Sequence, residues 1–249
     1  MVGHYERLDQ NIPVVVGSDG LLVVDSRSTH ADADELRDDI AAISPLPVRH
    51  LVNTHFHWDH TFGNARFAEA DIIGHTRCRE VMRSDGEATK RELSNADWIP
   101  PDVRWQFLAV DIMPPMVTFE TAVDVHLGDR VVRMWHPGRG HTDSDIVLSV
   151  GGVLIAGDLV EQGAPPSFGD AFPRAWVATL DALIPSLPPV VVPGHGAVVD
   201  ASFVAAQRDE IAHAIAVAET GTGASEYPGA VLEVIAERLV VEVGERRDG

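Results

Sequence analysis

An α/β layered core is the fold class this sequence predicts, and three observations predict it. Short apolar runs alternate with a helix-period stretch through residues 13–73. Paired β-rich runs with glycine turns follow at residues 123–156, and long amphipathic patterns close the chain. Alternation of strand and helix signals in one chain is the pattern of layered α/β and α+β domains.

The elements can be justified in order. Residues 13–16 and 21–25 are β-rich and are joined by the turn Gly17-Ser18-Asp19-Gly20. A helix follows, with Thr29 or Asp32 as its start signal and Ala33, Leu36, Ile40 and Ile43 on one face; Pro45 and Pro47 end it. The apolar run Val48–Val52 reads as a buried strand, residues 64–70 as a short helix, and Ile72-Ile73 as the next strand. Residues 83–116 differ in character, charged at first and then carrying Trp98, Trp105 and Phe107 among prolines. They are expected to form a lid or insertion, with peripheral packing as the alternative. Residues 123–127 and 131–135 flank a Gly128-Asp129 turn, and residues 146–150 and 153–156 flank Gly151-Gly152, two hairpin patterns. Trp176, Leu180, Leu183, Ile184 and Leu187 mark an amphipathic helix ahead of an apolar strand at 190–192. Residues 200–240 read as helical, with Phe203, Ile211 and Ile215 on one face and Val231, Leu232, Ile235 and Leu239 on another.

Composition bounds the function. A chain of 249 residues with 45% hydrophobic content is expected to fold as one globular domain, 1–249. The 38 acidic against 19 basic side chains give a net charge of −19, which argues against nucleic acid or an anionic membrane as partner. Cys78 is the single cysteine, so no internal disulfide framework exists and a cytoplasmic location is expected. No run approaches the ~18 apolar residues of a membrane span. The partner expected is a small-molecule substrate, with a homo-oligomer left open.

The chemistry concentrates in Thr54-His55-Phe56-His57-Trp58-Asp59-His60, where three histidines and one aspartate occupy six positions. Few structural roles call for that density of imidazole, because each partly buried ring needs hydrogen-bond partners. Imidazoles with a nearby carboxylate suit Zn²⁺ and other borderline divalent metals. His55 and His57, at i and i+2 on a strand end, would share one face, while Asp59 and His60 after a turn would point to a second position, so the run reads as a site for two metals. Three later segments share one grammar of apolar strand, small-residue turn and metal-capable side chain. They are Met134-Trp135-His136-Pro137-Gly138-Arg139-Gly140-His141-Thr142, Val153-Leu154-Ile155-Ala156-Gly157-Asp158 and Val190-Val191-Val192-Pro193-Gly194-His195-Gly196. Each is expected to put a His or Asp at a strand terminus, with glycines allowing close backbone approach. Asp25, ending a strand, could hydrogen-bond a ligand histidine or start a helix. Gly138-x-Gly140 leads into His141 and is rejected as a nucleotide site. Lys90 and Arg139 are the nearest candidates for anion recognition, and Trp98, Trp105 and Phe168 are read as core or lid packing ahead of pocket lining.

With His55-Phe56-His57-Trp58-Asp59-His60, Gly140-His141-Thr142, Gly157-Asp158 and Pro193-Gly194-His195-Gly196 in order, the chain resembles the metallo-β-lactamase superfamily from about Asn11 to about Gly196. The resemblance implies a four-layered αββα sandwich with a dinuclear site. It implies that His55, His57 and His141 bind one metal, that Asp59, His60 and His195 bind the second, and that Asp158 bridges them. An acid at position 158, rather than cysteine or serine, is similar to glyoxalase II, lactonases and persulfide dioxygenases, and an uncharacterised bacterial branch of hydrolases looks most alike. Against that pattern the chain is expected to lack a strand pair ahead of Asn11.

The implied enzyme is a metallohydrolase with two Zn²⁺, Fe or Mn being the alternative metals. Two Zn²⁺ against Asp59 and Asp158 leave about +2 at the site, enough to bring bound water towards a pKa of ~7. The expected reaction is attack of a metal-bound hydroxide on a thioester, lactone, ester or β-lactam carbonyl. Asp59 would act as the catalytic residue that orients the hydroxide and takes its proton. The alternative reaction class is that of a mononuclear non-haem iron persulfide dioxygenase.

Overall fold

In the computed structural model, residues 1–5 and 7–248 are described, with side chains described for residues 1–2 and 8–244. Proximity along the backbone divides the chain into two compact units, Met1–Tyr5 with Ile12–Trp135, and Glu6–Asn11 with His136–Gly249.

The first unit opens with β1 (Val2–Tyr5), which pairs with β2 (Gln10–Val16) and already supplies a strand ahead of Asn11. The turn at 17–20 folds β2 antiparallel onto β3 (Leu21–Val24), pairing Val14 with Val23 and Val16 with Leu21. Thr29 caps α1 (His30–Ile43) by accepting a hydrogen bond from the Asp32 amide, which satisfies one of the donors a helix start leaves open. The buried face of α1, Ala33, Leu36 and Ile40, packs on Ile12, Leu21, Val23, Leu51 and Ile72. Ile43 departs from expectation: it is exposed, because the apolar face ends at Ile40 and Ile43 is the last residue before the Ser44 cap.

The chain then lays down β4 (Val48–Val52), β5 (Asp71–His75) and β6 (Val117–Phe119), each parallel to its predecessor, starting from β3. Between β4 and β5 lie α2 (Trp58–Thr61), which the sequence pattern does not reveal, and a 3₁₀ turn Asn64–Phe67, shorter than the helix expected over 64–70. Between β5 and β6 lie α3 (Thr76–Asn95) and α4 (Pro101–Leu108). Residues 83–116 therefore comprise the end of α3, all of α4 and the return to β6. They bury Leu93, Ile99, Phe107 and Val110 against Phe62, with Trp58 half-buried at the edge. Trp98 and Trp105 stay 67% and 64% exposed. The hairpin of β7 (Ala122–His126) and β8 (Val131–Trp135) forms at the Gly128-Asp129 turn as the pattern predicts.

The second unit holds β9 (Val147–Val150), antiparallel to β10 (Val153–Glu161), which is parallel to β11 (Val190–His195). Gly151 and Gly152 both take positive φ in the β9–β10 turn, the conformation a two-residue hairpin loop demands. The expected strand end at residue 156 is corrected. β10 runs on to Glu161 through a bulge at Gly157, whose φ of +53° lets the strand kink without ending. Three helices complete the unit: α5 (Pro173–Leu183) between β10 and β11, then α6 (Ala201–Thr220) and α7 (Gly229–Asp248). Asp200 caps α6 by accepting from the Ser202 and Phe203 amides, and Gly221 in the left-handed region stops it. Their buried faces carry Trp176, Leu180 and Leu183, then Val204, Ile211 and Ile215, then Ile235 and Leu239. No helix among the described residues is long and apolar enough to cross a membrane.

Candidate metal centre

In the first unit β4 delivers the histidine run. His55 and His57 do not lie on the strand itself, as expected, but in the bend that follows it, because backbone pairing stops at Val52 and the amide of Asn53. The bend still brings the rings together, edge to face with centroids 4.7 Å apart, but through different atoms: Nε2 of His55 and Nδ1 of His57 are 3.0 Å apart. Asp59 and His60 sit on the single turn of α2, and the His60 ring lies 4.3 Å from that of His55. Ligand-capable atoms of His55 and His57 fall within 4.8 Å of one another, as do those of Asp59 and His60.

The rings are oriented from behind. Thr54 Oγ1 lies 3.0 Å from His55 Nδ1, and the Asp25 carboxylate lies 2.8 Å from His60 Nδ1. Nε2 of His60 is thereby turned towards Asp59, 3.4 Å away. The same Asp25 carboxylate accepts from the Thr54 amide at 2.8 Å and from the Thr54 hydroxyl at 2.9 Å. Asp25 is thus the partner of a candidate ligand rather than a helix-start acid. It holds φ at +66°, and Arg27 holds +68°, left-handed backbone of the kind stored at functional sites. Gly63 closes over this segment: a Cβ there would stand 1.9 Å from the Ser26 carbonyl oxygen.

In the second unit two histidines converge on one carboxylate. His141 Nε2 lies 3.5 Å from Asp158 Oδ2, and His195 Nε2 lies 3.4 Å from the same oxygen. The outer nitrogens are again engaged, His141 Nδ1 with the Ser167 carbonyl at 3.2 Å and His195 Nδ1 with the Leu8 carbonyl at 2.6 Å. A ring that donates through Nδ1–H keeps its Nε2 lone pair for a metal, the tautomer a ligand histidine needs. His195 ends β11 as expected, whereas Asp158 lies inside β10, just past the bulge. Glycine at 194 is required sterically, since a Cβ there would stand 1.8 Å from Asp158 Oδ1. Asn11 pins the Pro193-Gly194-His195-Gly196 turn by donating to the carbonyls of Pro193 and Gly196 at 3.0 and 2.8 Å.

Further residues support the His141 loop that motif reading does not single out. The Asp145 carboxylate accepts from the Thr142 amide at 3.0–3.1 Å and from the Thr142 hydroxyl at 2.6 Å. Complete burial, with smaller contributions from Asp158 and Asp143, pushes the Asp145 carboxyl up to about 8, against the pull of the two Thr142 donors. Trp176 packs its ring 5.6 Å from His141 and donates Nε1–H to the Leu159 carbonyl. Phe168 is core, its ring tilted against those of Trp176 and Tyr227. Arg139 lies over the Phe172 ring at 4.7 Å, and Lys90 pairs with Glu87 and the Val110 carbonyl.

Both donor sets are of the kind that binds divalent metal: buried or half-buried imidazoles and carboxylates, with His55, His60, His141 and His195 each held through Nδ1. The chain's similarities agree with that chemistry. A sequence model described as the metallo-β-lactamase superfamily matches residues 5–195. The chain is 25% identical to proteins named metallo-beta-lactamase type 2 from Bacillus sp. (strain 170) and from Bacillus cereus, over 204 residues, 78% of this chain and 70% of each relative. Among solved structures it is similar to a metallo-beta-lactamase from Pontibacter korlensis, at TM-score 0.65 and 21% identity, covering 85% of this chain and 92% of that one. It is likewise similar to the DIM-1 metallo-beta-lactamase, at TM-score 0.66 and 18% identity, covering 86% and 92%. The chain belongs to the metallo-β-lactamase superfamily, with that family's fold. It is a metallohydrolase of that family, and its His/Asp clusters are suited to hold metal.

Proposed function

We propose that the protein is a dinuclear zinc hydrolase acting on a small carbonyl substrate: a thioester, lactone, ester or β-lactam. One observation carries the reading. All seven positions, His55, His57, Asp59, His60, His141, Asp158 and His195, hold a metal-capable side chain, and the rings of His55, His60, His141 and His195 turn Nε2 to those partners while Nδ1 is engaged elsewhere. His55, His57 and His141 would hold one metal, Asp59, His60 and His195 the other, with Asp158 shared.

When bound, the metals supply Lewis acidity that polarises a carbonyl and makes water available as a nucleophile near neutral pH. The chain's own residues do the rest. Asp59 is the one candidate carboxylate at a half-buried position rather than a buried one, so it can both hold a water and accept its proton as the oxygen adds to the carbonyl carbon. The same proton then goes to the departing thiolate, alkoxide or amide nitrogen as the acyl bond breaks, which returns Asp59 to its carboxylate. Asp25 and the Leu8 and Ser167 carbonyls keep His60, His195 and His141 in one tautomer throughout. The net charge of −19 favours a small-molecule substrate over nucleic acid.

The test is metal analysis followed by assay of the zinc-loaded protein against a panel of β-lactams, lactones and glutathione thioesters. Two zinc per chain with turnover of one substrate class supports the proposal. Zinc bound with no turnover on any of them refutes it, and one iron per chain with oxygen consumption on a persulfide replaces it with the dioxygenase reading.

A further inference from the structure

Glu161 ends β10, three residues beyond the candidate ligand Asp158. Its Oε1 lies 3.5 Å from His141 Nδ1 and accepts a hydrogen bond from the Ser167 amide at 3.0 Å. The Ser167 carbonyl in turn lies 3.2 Å from the same His141 nitrogen. The three groups close a triangle: one carboxylate oxygen, the backbone N–H and C=O of one residue, and one imidazole nitrogen. Glu161 is itself held, since its amide donates to Gln207 Oε1 at 3.0 Å, while Gln207 Nε2 donates to the Leu159 carbonyl at 3.0 Å. The side chain is 13% exposed, so the charge meets His141 with little screening. Phe168, the residue after Ser167, is buried between Trp176 and Tyr227 and fixes the far side of the same loop.

We infer that Glu161 is the positioning residue for His141: its carboxylate faces the Nδ1 edge of the ring and holds the amide of Ser167, whose carbonyl faces the same nitrogen, aiming Nε2 at the metal and tying the loop at 162–172 to a metal ligand. The inference rests on the reading of His141 as a zinc ligand. A carboxylate behind a ligand histidine fixes the tautomer and makes the ring a better donor, and loss of such a partner weakens metal binding by about 10–100-fold. The arrangement also couples the loop to the centre, because displacing Ser167 moves both the carbonyl that faces His141 Nδ1 and the amide that Glu161 holds.

The experiment is zinc affinity by chelator competition, with thermal unfolding of the metal-free proteins alongside. Glu161→Gln keeps the length and an oxygen for the Ser167 amide but removes the charge. It should bind zinc about 10–100-fold more weakly than wild type at an unchanged metal-free Tm. A purely structural Glu161 would leave the affinity of this variant at the wild-type value, and that result overturns the inference. Should Glu161→Gln lower the metal-free Tm, Glu161→Asp decides: it retains the charge but withdraws it from His141. Weakened zinc binding supports positioning, and wild-type affinity overturns it. A wild-type protein that takes up no zinc overturns the inference too, but by removing the metal centre itself rather than the role of Glu161.

Discussion

Asp25 and His60 form a buried pair across 35 residues of sequence, carboxylate to Nδ1 at 2.8 Å, with Asp25 in left-handed backbone. The pair joins the end of β3 to the one turn of α2, and the same carboxylate holds Thr54 immediately before His55. One side chain thus orients both ends of the histidine run. Asp25→Ala strands the Thr54 amide and the His60 ring without their acceptor and keeps a Cβ at positive φ. Stability should fall by about 1–3 kcal/mol, as expected for buried donors left unsatisfied, and zinc affinity should fall as well. Urea unfolding of the metal-free protein reads the first effect and chelator competition the second; an unchanged unfolding midpoint would contradict the assignment.

Gly194→Ala tests the packing around Asp158. The added Cβ would overlap Asp158 Oδ1 at 1.8 Å, so either the carboxylate or the Pro193-Gly194-His195-Gly196 turn must move. Both carry candidate ligands. Zinc content per chain after dialysis should drop below that of wild type, while Gly151→Ala, in a turn with open space at its Cβ, should leave zinc content unchanged.

Asp145 makes stability depend on pH in a stated direction. Its carboxyl is pushed up to about 8 by burial, so the folded chain retains a proton that the unfolded chain releases above its ordinary value of 3.8. The unfolded state therefore binds fewer protons, and this contribution to stability falls as pH rises from about 4 to about 8. Asp145→Asn removes that titration. Plotted against pH for the metal-free proteins, the stability of the variant relative to wild type should rise over this window, and a flat difference would show that Asp145 ionises normally.

Glu242 caps a helix from a distance. On α7, it accepts from the amides of Arg174 and Ala175 in the first turn of α5 at 3.2 and 2.8 Å, where Phe172 offers no side-chain cap. Glu242→Ala should lower stability by about 0.5–2 kcal/mol, the usual loss for an N-cap, and Glu242→Gln by less because one acceptor survives. Thermal unfolding of the two variants ranks them; equal Tm values for all three proteins would mean the cap contributes nothing.

The segment 83–116 divides into interior and surface. Phe107→Ala empties a site that is 1% exposed and should cost about 3–5 kcal/mol. Trp98→Ala, at a residue 67% exposed, should stay within about 0.5 kcal/mol. Denaturant midpoints for the pair check the contrast.

Much of this was legible along the chain, and for a local reason. Strands such as Val48–Val52, the hairpin at Gly128-Asp129 and the helix opening at Thr29 follow from apolar period, turn residues and caps that act within a few positions. α2 and the continuation of β10 past Asp158 were not legible. A single helical turn has no period to read, and a bulged strand breaks its own alternation.

The sequence marks the histidine run and the later strand-end segments by residue density and glycine turns, and the family resemblance singles out the seven candidate ligands among them. Which atom each presents is a tertiary matter. Asp25 meets His60 over 35 residues, Ser167 meets His141 over 26 and Leu8 meets His195 over 187. An imidazole has two nitrogens of nearly equal basicity, and while Thr54 sits beside His55 in sequence, nothing adjacent to His60, His141 or His195 selects between theirs. The choice falls to whichever buried acceptor the fold sets behind the ring, since a buried N–H left without one is costly.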